Sequence, residues 1–212
     1  ISIISTELDR VIDGIRRKDV PKEIIKEYLA DMKGEINRCK AIIQDLLGFA
    51  KSGLSHMVET DVNALVAKTI DFIRKGKVRS GINLSFAPDG AAPRVITDPD
   101  RLRQVVFNVV KNAVEAIDDS GSVSAATQFD GSSITVIVKD DGPGVPREHL
   151  KRVFEPFFTT KPVGKGTGLG LSVSYGIMRD LRGEIRFESE CGKGTVVSLI
   201  LPLRPEAAFG LR

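Results

Sequence analysis

Apolar positions in the first 53 residues recur at spacings of three and four, as one face of a helix requires. Ile1, Ile4, Leu8, Val11 and Ile15 form one run, which breaks at Arg16-Arg17-Lys18-Asp19-Val20-Pro21. Ile25, Leu29, Met32, Ile36, Cys39, Ile43, Leu46 and Ala50 form a second, alternating four and three in the manner of a heptad seam. Two amphipathic helices with a short turn between them predict an antiparallel hairpin over residues 1–53. Ile42 and Leu47 widen the stripe beyond what one hairpin buries. The economical arrangement is a homodimer closing a four-helix bundle; the alternative is an intramolecular bundle packed on the rest of the chain.

Beyond a linker at 54–59 the period changes and becomes mixed. Asp61 is placed to cap a helix running to about residue 78, with Val62, Leu65, Val66, Thr69, Ile70 and Ile73 inward. Residues 82–87 alternate as a strand, and Val95 and Ile96 suggest another. Asp98-Pro99 opens a helix in N-cap and N1 fashion, continuing to Ile117. Segments 122–129 and 132–139 flank Asp130-Gly131, a hairpin signal. A helix over 147–153, a Gly-rich stretch, a helix over 169–181 and strands at 184–190 and 195–201 complete the reading. Residues 60–203 therefore read as one α+β domain, a mixed sheet packed on three helices, and 204–212 as an unstructured tail.

Composition narrows the class. The 212 residues carry 42% hydrophobic and 28% charged side chains, ordinary for a globular protein. The 31 basic and 28 acidic residues leave a net charge of +3, too balanced to argue for nucleic acid or a membrane surface as partner. No apolar run approaches the roughly 20 residues that span a bilayer. Cys39 and Cys191 lack metal spacing, and a reduced, cytoplasmic setting fits them. The chain begins at Ile1, without Met and inside a helical pattern, and so reads as a piece of a longer protein.

Four local features carry chemistry. Asn108 and Asn112, four apart on an otherwise apolar helix, share a face. Asn is a poor helix former, so the pair either aims amide oxygens at a ligand such as Mg²⁺ or hydrogen-bonds a neighbouring strand. Asp140-Asp141-Gly142-Pro143-Gly144 follows a strand: Asp140 at its end could accept from an exocyclic amine, with glycines admitting a planar ring, or the segment is an ordinary turn. Gly164, Gly166, Gly168 and Gly170 alternate before a helix, with Lys161 and Lys165 nearby. Such an N-terminus suits a polyphosphate. A dinucleotide fingerprint is rejected because Pro156-Phe157-Phe158-Thr159-Thr160-Lys161-Pro162, not a strand, precedes it. Phe154-Glu155-Pro156-Phe157-Phe158 reads as the hinge of a lid, as core packing, or as both.

Taken in order, these segments resemble the histidine-kinase family of the Bergerat-fold ATPases. Asn108 to Asn112 looks like the N box, Asp140 to Gly144 the first glycine box, Phe154 to Phe158 the F box, Gly166 to Gly170 the second glycine box and Gly192-Lys193-Gly194-Thr195 the last. The hairpin is similar to the family's dimerisation and phosphotransfer hairpin, and the Asn-Ala-x-Glu-Ala and Glu-Pro-Phe-Phe-Thr-Thr-Lys runs look closest to the nitrogen-regulation type. The resemblance implies a Bergerat α/β sandwich that binds ATP. By it, Asn112 coordinates Mg²⁺ with Asn108 beside it, Lys111 contacts phosphate, and Asp140 accepts from the adenine amino group against Gly142 and Gly144. Lys161, Lys165, Gly166, Thr167, Gly168, Leu169, Gly170 and Leu171 would close over the triphosphate, with Thr195 reaching the adenine pocket by hydroxyl or water. The γ-phosphoryl would pass to a histidine and then to an aspartate of a response-regulator receiver domain. That histidine is expected to precede Ile1, since His56 and His149 lack its context. Glu115-Ala116 stands where many members carry Lys-Tyr or Lys-Phe, and the role of Glu115 is left open. Hydrolysing relatives of the fold place a Glu base one turn before the metal Asn; here that place holds Asn108, which argues against water activation.

Overall fold

A computed structural model describes residues 56–76, 78, 80–161 and 166–203, together with 21, 23–34, 36 and a few positions between 6 and 13. It divides into two compact units, residues 1–51 with 159–167, and residues 52–158 with 168–212.

In the first unit residues 23–34 are helical. The helix starts where the Pro21 carbonyl accepts from the backbone N–H groups of Ile24 and Ile25, at 3.0 and 3.2 Å. Pro21 marks the break read from the sequence. Within the expected seam Met32 is buried, while Leu29 and Ile36 are 49% and 53% exposed. The pairing of two helices into a hairpin rests on residues 37–50, which lie outside the described residues.

The second unit is an α+β sandwich. Strands β1 (Val58–Thr60), β2 (Ile82–Ala87), β3 (Val95–Thr97), β4 (Gly121–Phe129), β5 (Ser133–Asp140), β6 (Glu184–Glu190) and β7 (Gly194–Pro202) alternate with helices α1 (Val62–Lys75), α2 (Pro99–Ala116), α3 (Arg147–Leu150) and α4 (Gly170–Asp180). Five strands form one mixed sheet in the order β2-β4-β5-β7-β6, parallel only between β2 and β4. A separate two-stranded sheet pairs β1 with β3 antiparallel. The sequence placed Val58 and Glu59 in a linker; they are a strand, because three residues are too few to show an alternation.

Caps and turns follow the local chemistry. Asp61 accepts from Ala64 N–H at 2.9 Å and starts α1. Asp98 starts α2 by accepting from Asp100 and Arg101 N–H at 3.1 and 3.2 Å, and its other oxygen takes His56 N–H at 3.1 Å. Gly131 (φ +93°) turns the β4–β5 hairpin, where the Asp130 carboxylate accepts from Ser132 and Ser133 N–H. The helix expected over 147–153 stops at Leu150. Beyond it the chain continues to Phe158 by tighter turns, with Arg152, Glu155 and Phe158 N–H each donating three residues back.

Alternation puts the core on one face of the sheet. Val123 and Ala125, Ile134, Val136 and Val138, and Leu199 and Leu201 meet Val66 and Ile70 of α1, Leu102, Val106 and Val109 of α2, and Val173 and Ile177 of α4, all at most 2% exposed. At about 25 cal/mol per Å² this apolar burial is the main force holding the layers together. Arg101 bridges to Asp180, tying the start of α2 to the end of α4.

Candidate nucleotide site

The site is organised by one face of α2. Asn108, Asn112 and Ala116 are four apart and line up along about 12 Å of helix, at 1.5 Å per residue. At one end, a side chain added to Gly170 would lie 3.9 Å from both Asn108 and Asn112. The Asn108 amide nitrogen donates to the Gly170 carbonyl at 3.3 Å and to Ser174 Oγ at 3.5 Å, and Ser174 in turn donates to that same carbonyl at 2.7 Å. This network assigns the Asn108 amide nitrogen to α4, and its oxygen has no hydrogen-bond partner among the described residues. Among the described residues the half-buried Asn112 amide has no hydrogen-bond partner. Leu169, at the N-cap of α4, makes no side-chain cap hydrogen bond. Two amides beside a helix start suit a cation and a phosphate group.

At the other end of the face Ala116 meets the first glycine segment. A Cβ on Gly142 would come 3.3 Å from the Ala116 methyl and carbonyl, and 2.9 Å from an Asp140 carboxylate oxygen. Asp140 is 5% exposed. Its carboxylate accepts from Gly142 N–H at 3.0 Å. Burial pushes its pKa above the usual carboxylate range; the backbone N–H groups of Gly142 and Thr195 oppose the rise, and the neighbouring Asp141 charge adds to it.

Ladder register sets what stands beside Asp140. It pairs with Thr195 across β5–β7, and Thr195 pairs with Ser189 across β7–β6. Directly paired residues share a face, so Asp140, Thr195 and Ser189 form a polar row across three strands. Close approaches bind the glycine segments to this row. Gly144 (φ +68°) has no room for a Cβ, which would overlap the Glu190 carbonyl, and Gly192 N–H donates to Pro143 O at 2.8 Å.

Asp141 faces away from the row. Its carboxylate accepts from Ser122 N–H and Oγ–H at 2.8 and 2.6 Å, which hold it below the usual carboxylate range and pin the start of β4. Lys111 is exposed and stands 3.7 Å from Glu115, so the residue whose role was open is an i,i+4 partner of the candidate phosphate lysine.

The aromatic segment packs against its neighbours. Phe154 stacks against Tyr175 and Phe187 at 5.3 and 6.3 Å, and the Arg152 guanidinium lies 4.4 Å over Phe158. Phe157, at φ +66°, is 68% exposed. Its backbone lies where a Cβ on Gly168 (φ +68°) would fall. Segment 159–167 belongs to the first unit, where Gly166 faces Thr159 and Lys161. Lys161, Gly166 and Thr167 are described there by themselves, and Lys165 lies outside the described residues. The structure thus brings Asn108, Asn112 and Gly170 together at one end of α2, and Asp140, Gly142, Gly144 and Thr195 at the other. Ala116, Ser174 and Ser189 were missed by the sequence reading. A cavity of about 500 Å³ elsewhere, between α1 and α2 at Phe72 and Phe107, is lined by none of these residues.

Residues 97–205 match the family described as histidine kinase-, DNA gyrase B-, and HSP90-like ATPase. Sporulation kinase E of Bacillus subtilis is 36% identical over 85% of the chain, and the signal transduction histidine-protein kinase AtoS of Escherichia coli 34% identical over 91%. The chain spans 24% and 31% of those proteins' own lengths. Among solved structures, the catalytic domain of histidine kinase ThkA superposes with a TM-score of 0.64 at 32% identity, over 71% of this chain and 98% of that one. ThkA in complex with the response regulator TrrA superposes with a TM-score of 0.76 at 28% identity, over 96% and 59%. With the amide pair, the strand-end carboxylate and the glycine segments arranged on this fold, the chain belongs to the histidine kinase-, DNA gyrase B- and HSP90-like ATPases, as an ATP-binding domain of the sensor histidine kinase type.

Proposed function

We propose that this chain is the transmitter portion of a two-component histidine kinase, which binds Mg-ATP along α2 and directs its γ-phosphoryl to a histidine lying outside these 212 residues. The observation that carries the reading is the single helix face joining Asn108, Asn112 and the α4 start to Gly142 and Asp140.

In this reading the Asn112 and Asn108 amide oxygens would hold Mg²⁺, which would supply charge neutralisation for the transferring phosphoryl group. Gly168, Gly170 and Leu171 would offer backbone N–H groups to the phosphates, and Lys111 would add positive charge. Asp140 accepts from the adenine amino group, while Gly142 and Gly144 keep the floor of the base site free of side chains. The chain's contribution to transfer is positioning and electrostatics.

The helical seam of residues 1–53 supports a homodimer, the exposed Leu29 and Ile36 being the surface it would cover. A response-regulator receiver domain is the proposed partner, on the likeness to ThkA, which was solved in complex with the response regulator protein TrrA. No described helix is long and apolar enough to cross a membrane. A cytoplasmic setting without nucleic-acid or membrane contact is consistent with the balanced charge.

Calorimetric titration tests the site. The chain binds ATP with Mg²⁺ and more weakly with EDTA, and Asn112→Ala abolishes that difference. An unchanged Mg²⁺ dependence in Asn112→Ala overturns the assignment. Incubated with labelled ATP, the chain takes up no phosphate by itself.

A further inference from the structure

We propose that Ser189 is a specificity-positioning residue: it locks the Thr195 hydroxyl as a pure acceptor, so that the base site selects a 6-amino over a 6-keto purine. The inference rests on the nucleotide reading above and adds to it the part played by Ser189.

The placement of protons around one oxygen, Ser189 Oγ, decides the arrangement. A serine hydroxyl has one hydrogen to give and two lone pairs. Ser189 Oγ has three partners: Val145 N–H at 2.8 Å, the Gly194 carbonyl at 2.9 Å and Thr195 Oγ1 at 3.0 Å. Val145 N–H can only donate, so it takes one lone pair. The Gly194 carbonyl can only accept, so it takes the single hydrogen. Thr195 Oγ1 therefore meets the remaining lone pair, and the hydrogen between the two hydroxyls is the one on Thr195. This is the one assignment that satisfies all three contacts, and half-burial of Ser189 against a buried Gly194 disfavours leaving any unmade.

With its hydrogen committed to Ser189, Thr195 Oγ1 has only lone pairs left for the site. Thr195 stands directly beside Asp140 in the ladder. The edge offered directly to the substituent at position 6 of a purine is thus a carboxylate and a hydroxyl oxygen that both accept. An amino group at that position donates to it; a carbonyl there sets acceptor against acceptor. Freed of Ser189, the threonine hydroxyl can rotate and donate, and the edge loses its polarity. The same oxygen also ties the segment after Gly144 to the β7 start, so the lock and the glycine floor share one anchor.

Affinities of the full chain for ATP and for ITP, its 6-keto counterpart, provide the test. The native chain prefers ATP. Ser189→Ala lowers the ATP-to-ITP affinity ratio by roughly five- to tenfold, the worth of about one hydrogen bond. Ser189→Thr, which keeps the hydroxyl, preserves the ratio. In a Thr195→Val background, Ser189→Ala changes the ratio no further, because the group it acts through is gone. An unchanged ratio in Ser189→Ala, or an equal drop with and without Thr195, overturns the proposal. If Ser189→Ala does not fold, Thr195→Val decides alone: a ratio equal to the native one overturns it. Failure of the nucleotide reading itself is distinct, since the native chain would then bind neither nucleotide.

Discussion

The two ends of the site are built in different ways. At the amide end, two side chains on one helix reach the start of another, and the geometry is carried by i,i+4 spacing within α2. At the base end, three strands contribute one polar residue each, and the backbone is drawn close by residues without side chains. A helix end of this kind tolerates change around it but depends on particular functional groups. A sheet end depends on register and on empty space. Loss of function at the first should therefore leave the fold intact, whereas at the second it should often arrive with lost stability.

The sharpest break of that comparison uses one substitution at each end. Asn112→Ala removes a group that pairs with no described residue, so thermal stability stays within about 0.5 kcal/mol of native. Mg-dependent ATP affinity nevertheless falls by on the order of a hundredfold, as for a lost interaction with a charged partner. Gly144→Ala does the reverse. Its φ of +68° and the Glu190 carbonyl in its path destabilise the domain by about 1–3 kcal/mol, read as a drop in melting temperature without nucleotide. Equal melting temperatures for the two variants would refute the contrast.

The same contrast explains what the sequence made legible. Asn108 and Asn112 were found because helical spacing is written in the residue numbers, and Asp98-Pro99 and Asp130-Gly131 because capping and turn chemistry are local. The strands and α2 lie within a residue or two of where periodicity put them. Ser189 was invisible: as a polar residue on a strand next to Glu188 and Glu190, it gains meaning only once β6 is paired with β7 and Thr195 stands opposite. Ala116 was missed because alanine in a helix carries no signal until Gly142 is seen against it. The short strand β1 was lost in a linker for want of length, and α3 was drawn too long because the turns after Leu150 keep a helical look in sequence.

Acidification separates the ends by a smaller effect. The raised pKa of Asp140 means that its carboxylate takes up a proton at a higher pH than an ordinary aspartate. The fold itself gains from this, since the neutral form is the one burial favours; base recognition loses, since a protonated oxygen no longer accepts from an amino group. ATP affinity should therefore fall as pH drops through that raised value, with the ATP-to-ITP ratio falling alongside it. Asp140→Asn, which cannot titrate, abolishes the dependence. A binding profile whose acid limb is identical in native and Asp140→Asn chains would show that the carboxylate does not meet the base.

The smallest effect belongs to the element that joins the two ends. Asp98 starts α2 by accepting from Asp100 and Arg101 N–H, and also holds His56 N–H of the segment leading into β1. Asp98→Ala leaves those donors without their carboxylate and lowers stability by about 1 kcal/mol, read from the midpoint of urea unfolding. Because the cap lies more than two turns before Asn108, and the 108–112–116 face is held by buried packing of Val105, Val106, Val109 and Val110, the helix does not rotate when the cap is lost. Mg-dependent ATP affinity and the ATP-to-ITP ratio should both stay within about twofold of native at temperatures where the variant is folded, by the near-additivity of separated sites. A selective loss at one end only would mean that α2 is not the rigid rail on which both depend.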